Sequence, residues 1–247
     1  MTPAADRFFR RLDDPAFIIR ATIHTNAAMF VLCILFNPGG SMGSLNPFAF
    51  FSPTSQSLLL LGATGAIPID RFGRWWTLVS ASYLHGGLIH ILFNMAALYQ
   101  LAPLVARLFG PARLIIVYTG AGVLGFYLSY LAEVTFTIGA SAAVCGLSGS
   151  LLFYGLSRGG WFGNMIYRQI LGWTIGIFVF GFLLPGINNW GHGGGLVGGF
   201  VLAAALGYEE VKRQRFHHSL MAAACVLATV AILLWAVASG LYLRLAA

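Results

Sequence analysis

The chain has 247 residues, of which 58% are hydrophobic and only 9% charged, with a formal net charge of +7. Soluble domains carry about a quarter charged residues, so the composition speaks against an ordinary water-soluble domain. It points to an all-α polytopic membrane protein, in which the basic excess marks one membrane face and gives no ground for a nucleic-acid partner.

A membrane span needs roughly 20 mostly apolar residues to cross about 30 Å of hydrocarbon. Seven stretches qualify, at 21–36, 78–101, 114–131, 140–156, 166–184, 192–208 and 220–243. The first follows Arg7, Arg10, Arg11 and Arg20 and could imitate a signal peptide, but no cleavage pattern follows it. It is expected to be retained. Between the first and second spans lies a long loop, 37–77. It opens with a Gly/Ser/Pro-rich part at 38–53, then carries an apolar piece at 58–69 that is too short to span and contains Gly62 and Gly65. That piece is expected at the interface or packed on the bundle. Trp75 and Trp76 close the loop and suit the aromatic belt at the outer headgroup level.

The positive-inside rule sets the orientation. Arg7, Arg10, Arg11, Arg20, Arg107, Arg113, Arg158, Arg168, Lys212, Arg213 and Arg215, eleven of the fourteen basic residues, fall on one side. Only Arg71, Arg74 and Arg244 fall on the other. The N-terminus is therefore expected in the cytoplasm and the C-terminus outside. Cys33, Cys145 and Cys225 all lie within spans, with neither a disulfide framework nor metal-ligand spacing, and are expected to pack as small apolar residues. No HExxH or similar zinc pattern occurs, so no metal is expected.

Polar groups inside spans are costly and need a reason to be there. Ser141 opens the fourth span and His192 the sixth, and both enter from the outer face. His85, His90 and Asn94 lie in the outer half of the second span. Three separate segments thus deliver polar groups to a similar depth on the same side. Ser141 and His192 have the composition of a nucleophile and its general base. His90 and Asn94 are four apart and share a helix face, where both can converge on one point. His85 is rotated away and is expected to brace the long loop. Gly139 suits a chain entering a helix, whose unpaired N–H groups favour an anion. Gly191, Gly195 and Gly199 recur at four-residue spacing opposite the small residues of the fourth span. Such faces let membrane helices pack backbone to backbone, and if these two meet, Ser141 and His192 come within hydrogen-bond reach.

Gly139-Ala140-Ser141-Ala142, His192 with Gly195 and Gly199, and His85-x4-His90-x3-Asn94 together resemble the rhomboid family of intramembrane serine proteases. The resemblance runs over the second to sixth spans. It implies a rhomboid-like six-helix core at 21–209 that includes the outer loop, after a cytoplasmic segment at 1–20. A basic loop and a seventh transmembrane helix at 210–247 resemble the six-plus-one subgroup. The resemblance further implies Ser141 as nucleophile and His192 as base, working as a dyad without a third carboxylate. The backbone N–H of Ser141 with His90 and Asn94 would form the oxyanion hole. Gly139, His85, Gly195 and Gly199 would support these residues. No cofactor is expected, and the partners would be transmembrane protein substrates within the lipid bilayer of a bacterial cytoplasmic membrane. Access is expected at 184–190, which contains Pro185-Gly186, and Asn189 stands where the family often has a polar residue near the substrate. Arg74-Trp75 resembles the family's first-loop Trp-Arg pair in altered order.

The chain departs from the family pattern at two positions. Ala142 replaces the frequent glycine after the serine, and Cys145 replaces an aromatic that packs on the histidine ring. Glu133, at the end of the third span, is read as a solvated interfacial carboxylate. His24 is read as a pore, packing or interface residue, and His217 and His218 as interfacial. Two other classes remain: a rhomboid-like pseudoprotease that binds membrane clients without cleaving them, and a small transporter or channel. Retention of both Ser141 and His192 speaks against the first. The scarcity of paired charges within spans and the absence of inverted repeats speak against the second.

Overall fold

The computed structural model describes residues 7, 10–36, 50–184 and 186–245. The expectations for the start of the outer loop and for Pro185 fall outside these residues. The long helices are α1 (Pro15–Phe36), α2 (Leu88–Phe109), α3 (Pro111–Leu131), α4 (Ser141–Arg158), α5 (Gly160–Leu183), α6 (Asn189–Leu206) and α7 (Phe216–Leu245). The described residues form no strand, only an isolated bridge between Thr64 and Thr137. The fold is an all-α polytopic bundle, as the composition requires.

One predicted stretch breaks in two. Residues 78–101 do not form a single helix. A short helix at Thr77–Ser80 passes into a tight turn at Ala81–Tyr83. Leu84 then leaves in extended conformation, and α2 starts only at Leu88. The Gly86-Gly87 pair explains the interruption, since paired glycines carry the highest conformational entropy cost in a helix. His85 consequently sits in a loop and not on the helix that carries His90 and Asn94.

Five of the helices, α1, α2, α3, α5 and α7, are long and apolar enough to cross a membrane. Helices α4 and α6 fall outside that group because glycine, serine, histidine and asparagine dilute their hydropathy. Helix α4 is buried along most of its length, and the glycine face of α6 packs against α3 and α4. An inner helix meets protein, so small and polar residues cost it little that lipid would otherwise exact.

Glycines set the spacing at the centre. A Cβ at Gly195 would overlap the Ala142 carbonyl, and one at Gly199 the Gly146 carbonyl. From the other side, a Cβ at Gly149 would overlap the Leu196 carbonyl. Helix α6 also presses on α3, where a Cβ at Gly125 would lie 2.6 Å from the Gly191 carbonyl. At these positions helices α3, α4 and α6 thus pack backbone against backbone, and no side chain larger than hydrogen fits at Gly125, Gly149, Gly195 or Gly199.

The two ends of the bundle are tied differently. At one end, the fully buried Arg113 donates to Glu209 at 2.9 Å and to the carbonyls of Phe109 and Lys212 at 2.8 and 2.6 Å. Arg158 pairs with Glu210 at 3.2 Å, and Gln214 donates to Asp13. At the other end, the outer loop is fastened to α3: Tyr130 donates to Asp70 at 3.0 Å and meets Trp75 edge-on at 5.1 Å. The apolar piece 58–69 packs on the bundle, with Leu58, Leu61, Ala63 and Ile69 buried.

Because Gly199 touches backbone, Gly199→Ala should destabilise the protein by at least the 1–3 kcal/mol typical of overpacking. Gly176→Ala, at a helical position with nothing within 4 Å of the added Cβ, should be neutral or stabilising by up to about 1 kcal/mol. Thermal unfolding of the two purified variants in one detergent checks the contrast.

Candidate active site

Ser141 is the first residue of α4, following Ala140 at the cap. A residue there has no intrahelical partner for its N–H, so the donor is available to a ligand. The entering chain is shaped by Gly139, whose φ of +123° is left-handed backbone that side chains rarely adopt. Its N–H donates to the Ala81 carbonyl at 2.9 Å. A Cβ at Gly139 would lie 2.7 Å from His90 Nε2 and 3.6 Å from Ser141 Oγ. Gly139 is therefore the space across which His90 and Ser141 face each other.

His90 has a defined tautomer. Its Nδ1 accepts from the Gly86 N–H at 3.3 Å, which leaves the proton on Nε2, the nitrogen beside Gly139. Asn94 is buried one turn on and donates one amide hydrogen to the His90 carbonyl at 2.9 Å. His85 is fully buried, packs edge-on to His90 with ring centroids 5.0 Å apart, and accepts from the Ala140 N–H at 3.5 Å. It braces both the neighbouring histidine and the turn that leads into Ser141.

His192 lies in the first turn of α6 and is 7% exposed. It precedes Gly195 by three residues, and Gly195 touches Ala142, the residue after Ser141. The glycine contact thus brings the first turns of α4 and α6 side by side. Among the described residues no hydrogen bond joins Ser141 to His192, and His192 Nδ1 is buried without a partner. Among the described residues no carboxylate reaches that nitrogen. Glu133 is solvent-exposed in a left-handed turn after α3. A ring contact comes instead from Phe178 of α5, edge-on at 6.3 Å. Cys145 is buried and free.

The sequence reading missed Asn188. Its Oδ1 accepts from the Gly191 N–H at 3.0 Å and caps α6. Its Nδ2 donates to Ser129 of α3 at 2.8 Å and to Thr137 of the loop before α4 at 2.9 Å. One amide thus ties together three segments that hold the site. Asparagine directly before a helix is a recognised capping signal, and here it stands beside Asn189. The side chain of Asn189 turns instead to α5, against Gly181. Arg74 donates to the Leu59 carbonyl at 3.0 Å and so belongs to the fastening of the outer loop.

A family model described as the Rhomboid domain matches residues 72–209. The chain is 36% identical over 159 residues to Rhomboid protease GluP of Bacillus subtilis (strain 168), covering 64% of this chain and 31% of that protein. It is 35% identical over 158 residues to Putative rhomboid protease YdcA of the same organism, covering 62% of this chain and 79% of that protein. RHOMBOID-like protein 4 of Arabidopsis thaliana is 31% identical over 160 residues, covering 62% and 40% respectively.

Asn188→Ala removes a cap and two side-chain hydrogen bonds and should lower stability by about 2–3 kcal/mol. Asn188→Asp retains the cap and should fall between the two. Denaturation midpoints of the three proteins measure the difference.

Proposed function

The chain belongs to the rhomboid family, and from that membership we propose that it is an intramembrane serine endopeptidase with Ser141 and His192 as its dyad. The observation that carries the proposal is the glycine-mediated contact of Gly195 with Ala142, which sets the first turns of α4 and α6 against each other. Family membership supports proteolysis in the membrane generally. The assignment to named residues rests on their placement.

In this reading Ser141 Oγ attacks the carbonyl carbon of the scissile peptide while His192 takes the hydroxyl proton. The negative charge that develops on the substrate oxygen is met by the Ser141 N–H, by His90 Nε2–H and by the free amide hydrogen of Asn94. The C–N bond then breaks, and His192 returns the proton to the departing amine. Water attacks the acyl-enzyme with His192 again as base, releasing the second product and restoring Ser141. The unpartnered Nδ1 of His192 favours a dyad over a triad.

The substrates are read as transmembrane segments of other proteins. Because a buried helix cannot leave its backbone groups unpaired in lipid, segments with small or helix-destabilising residues are favoured. Access is placed near 184–190, beside the first turn of α6. The core at 21–209 carries the site, and 210–247 adds the basic loop and α7. We place the N-terminus in the cytoplasm, the C-terminus outside and the site toward the outer leaflet of a bacterial cytoplasmic membrane. Retention of both Ser141 and His192 favours this reading over a client-binding pseudoprotease.

Ser141→Ala and His192→Ala should each lower cleavage of a single-span reporter in proteoliposomes by roughly 10⁴-fold or more, by analogy with soluble serine proteases. Asn94→Ala should cost about 10²- to 10³-fold, as for loss of one oxyanion donor. Cleavage that survives Ser141→Ala would overturn the assignment of the nucleophile.

A further inference from the structure

Most of the membrane-spanning part of α5 is exposed beyond its junction with α4. Ile175, Val179, Phe180, Phe182 and Leu183 are 55%, 49%, 61%, 80% and 72% exposed. Two residues of this half face inward and meet the first turn of α6. Gly181 accepts Asn189, whose side chain fills the space that a Cβ would need. One turn earlier, the ring of Phe178 lies edge-on to His192, with planes at 85° and centroids 6.3 Å apart. Gly193 lies alongside the same ring, and a Cβ there would meet it at the ordinary contact distance of 3.9 Å.

His192 has little else to hold it. Its Nδ1 is buried with no hydrogen-bond partner. The described residues offer it no carboxylate. The nearest turn of α4 carries the small side chains Ala142 and Cys145. An imidazole with neither an acceptor at Nδ1 nor an aromatic from the neighbouring helix depends on packing for its rotamer. The edge-to-face geometry falls within the range in which aromatic pairs attract beyond area burial alone.

The geometry points to Phe178 as a positioning residue for His192, with Gly181 and Asn189 locking the α5 turn that presents it. This inference rests on the proposed role of His192 as base. It also gives the exposed half of α5 a consequence for chemistry: displacement of that segment toward lipid takes Phe178 away from the imidazole. The base is then held in its working rotamer only while α5 lies against α6.

The test compares Phe178→Ala, Phe178→Leu and Phe178→Tyr with the native chain in proteoliposomes. Carbethoxylation of His192 by diethyl pyrocarbonate, read by peptide mass, reports the hold on the imidazole whether or not the protein cleaves anything. Loss of the ring should raise the modification rate about three- to ten-fold in the Ala and Leu variants, the range of a lost aromatic pair. Tyr should restore the native rate. On the single-span reporter, kcat should fall by a similar factor in Ala and Leu with KM little changed, and recover in Tyr. A simple packing role gives a different result, in which Leu behaves as the native chain and any loss follows the melting temperature. Equal His192 modification in all four proteins overturns the inference. If Ser141→Ala retains cleavage while the modification pattern holds, the failure lies with the assigned dyad and not with Phe178.

Discussion

The architecture depends on close approach of backbones at the centre of the bundle. In lipid the hydrophobic effect does not drive helices together, because the tails are as apolar as the side chains they replace. Association then relies on packing, and packing is tightest where side chains are absent. Gly146, Gly149, Gly195 and Gly199 make that approach between α4 and α6, and Gly125 and Gly191 make it between α3 and α6. The positions of Ser141 and His192 follow from it, since each stands within a turn of a glycine contact. A change of one methyl group at this seam would shift the two side chains relative to each other by an amount that matters to a proton transfer.

A second constraint follows from the surroundings. Polar groups taken out of water must be paired or their burial is costly. The site meets this in part, through Gly86 to His90, Asn94 to the His90 carbonyl, and Asn188 to Ser129 and Thr137, while His192 Nδ1 stays unpaired. These bonds also fix orientation. The Gly86 bond decides which nitrogen of His90 carries the proton, and the Asn188 bonds hold the loop before α4 against the cap of α6. Satisfying the backbone and arranging donors are therefore the same task, carried out by the same residues.

Much of this was legible in the sequence. The helical membrane bundle follows from long apolar runs, and the rhomboid resemblance from three short motifs in order. Small-residue spacing anticipated the contact of α4 with α6. Other features were not legible. The break before α2 was hidden because the stretch around His85 is otherwise apolar or small, and hydropathy does not register the cost of Gly86-Gly87 in a helix. His85 was accordingly placed on the wrong element. The inner helices also looked like ordinary spans, although their composition is that of helices that meet protein. Asn188 was passed over for its neighbour because a capping side chain and one facing α5 are adjacent in sequence and differ only in the direction the backbone gives them. Phe178 could not have been found, since nothing in the chain marks which of the aromatic residues of α5 turns inward.

The asymmetry between the two ends of the bundle bears on how such a protein can open without coming apart. At the basic end, Arg113 is buried and holds α3 to the loop between α6 and α7 through charge-assisted bonds, and breaking a buried pair of this kind is strongly unfavourable. At the site end no buried charge pair is used: the outer loop is fastened to α3 by an exposed tyrosine–aspartate bond and an aromatic contact, and to the segment 134–137 by backbone bonds of Thr64, Ala66 and Ile67. Helix α5 is secured at its start, where a Cβ at either Gly155 or Gly163 would lie 2.8 Å from the carbonyl of the other, and thinly at its end, by Gly181 and Phe178. A helix anchored at one end and lightly held at the other moves most where it is held least. Here that place is beside His192, so the part of the fold with the least to lose from movement adjoins the residue whose orientation is most sensitive to it.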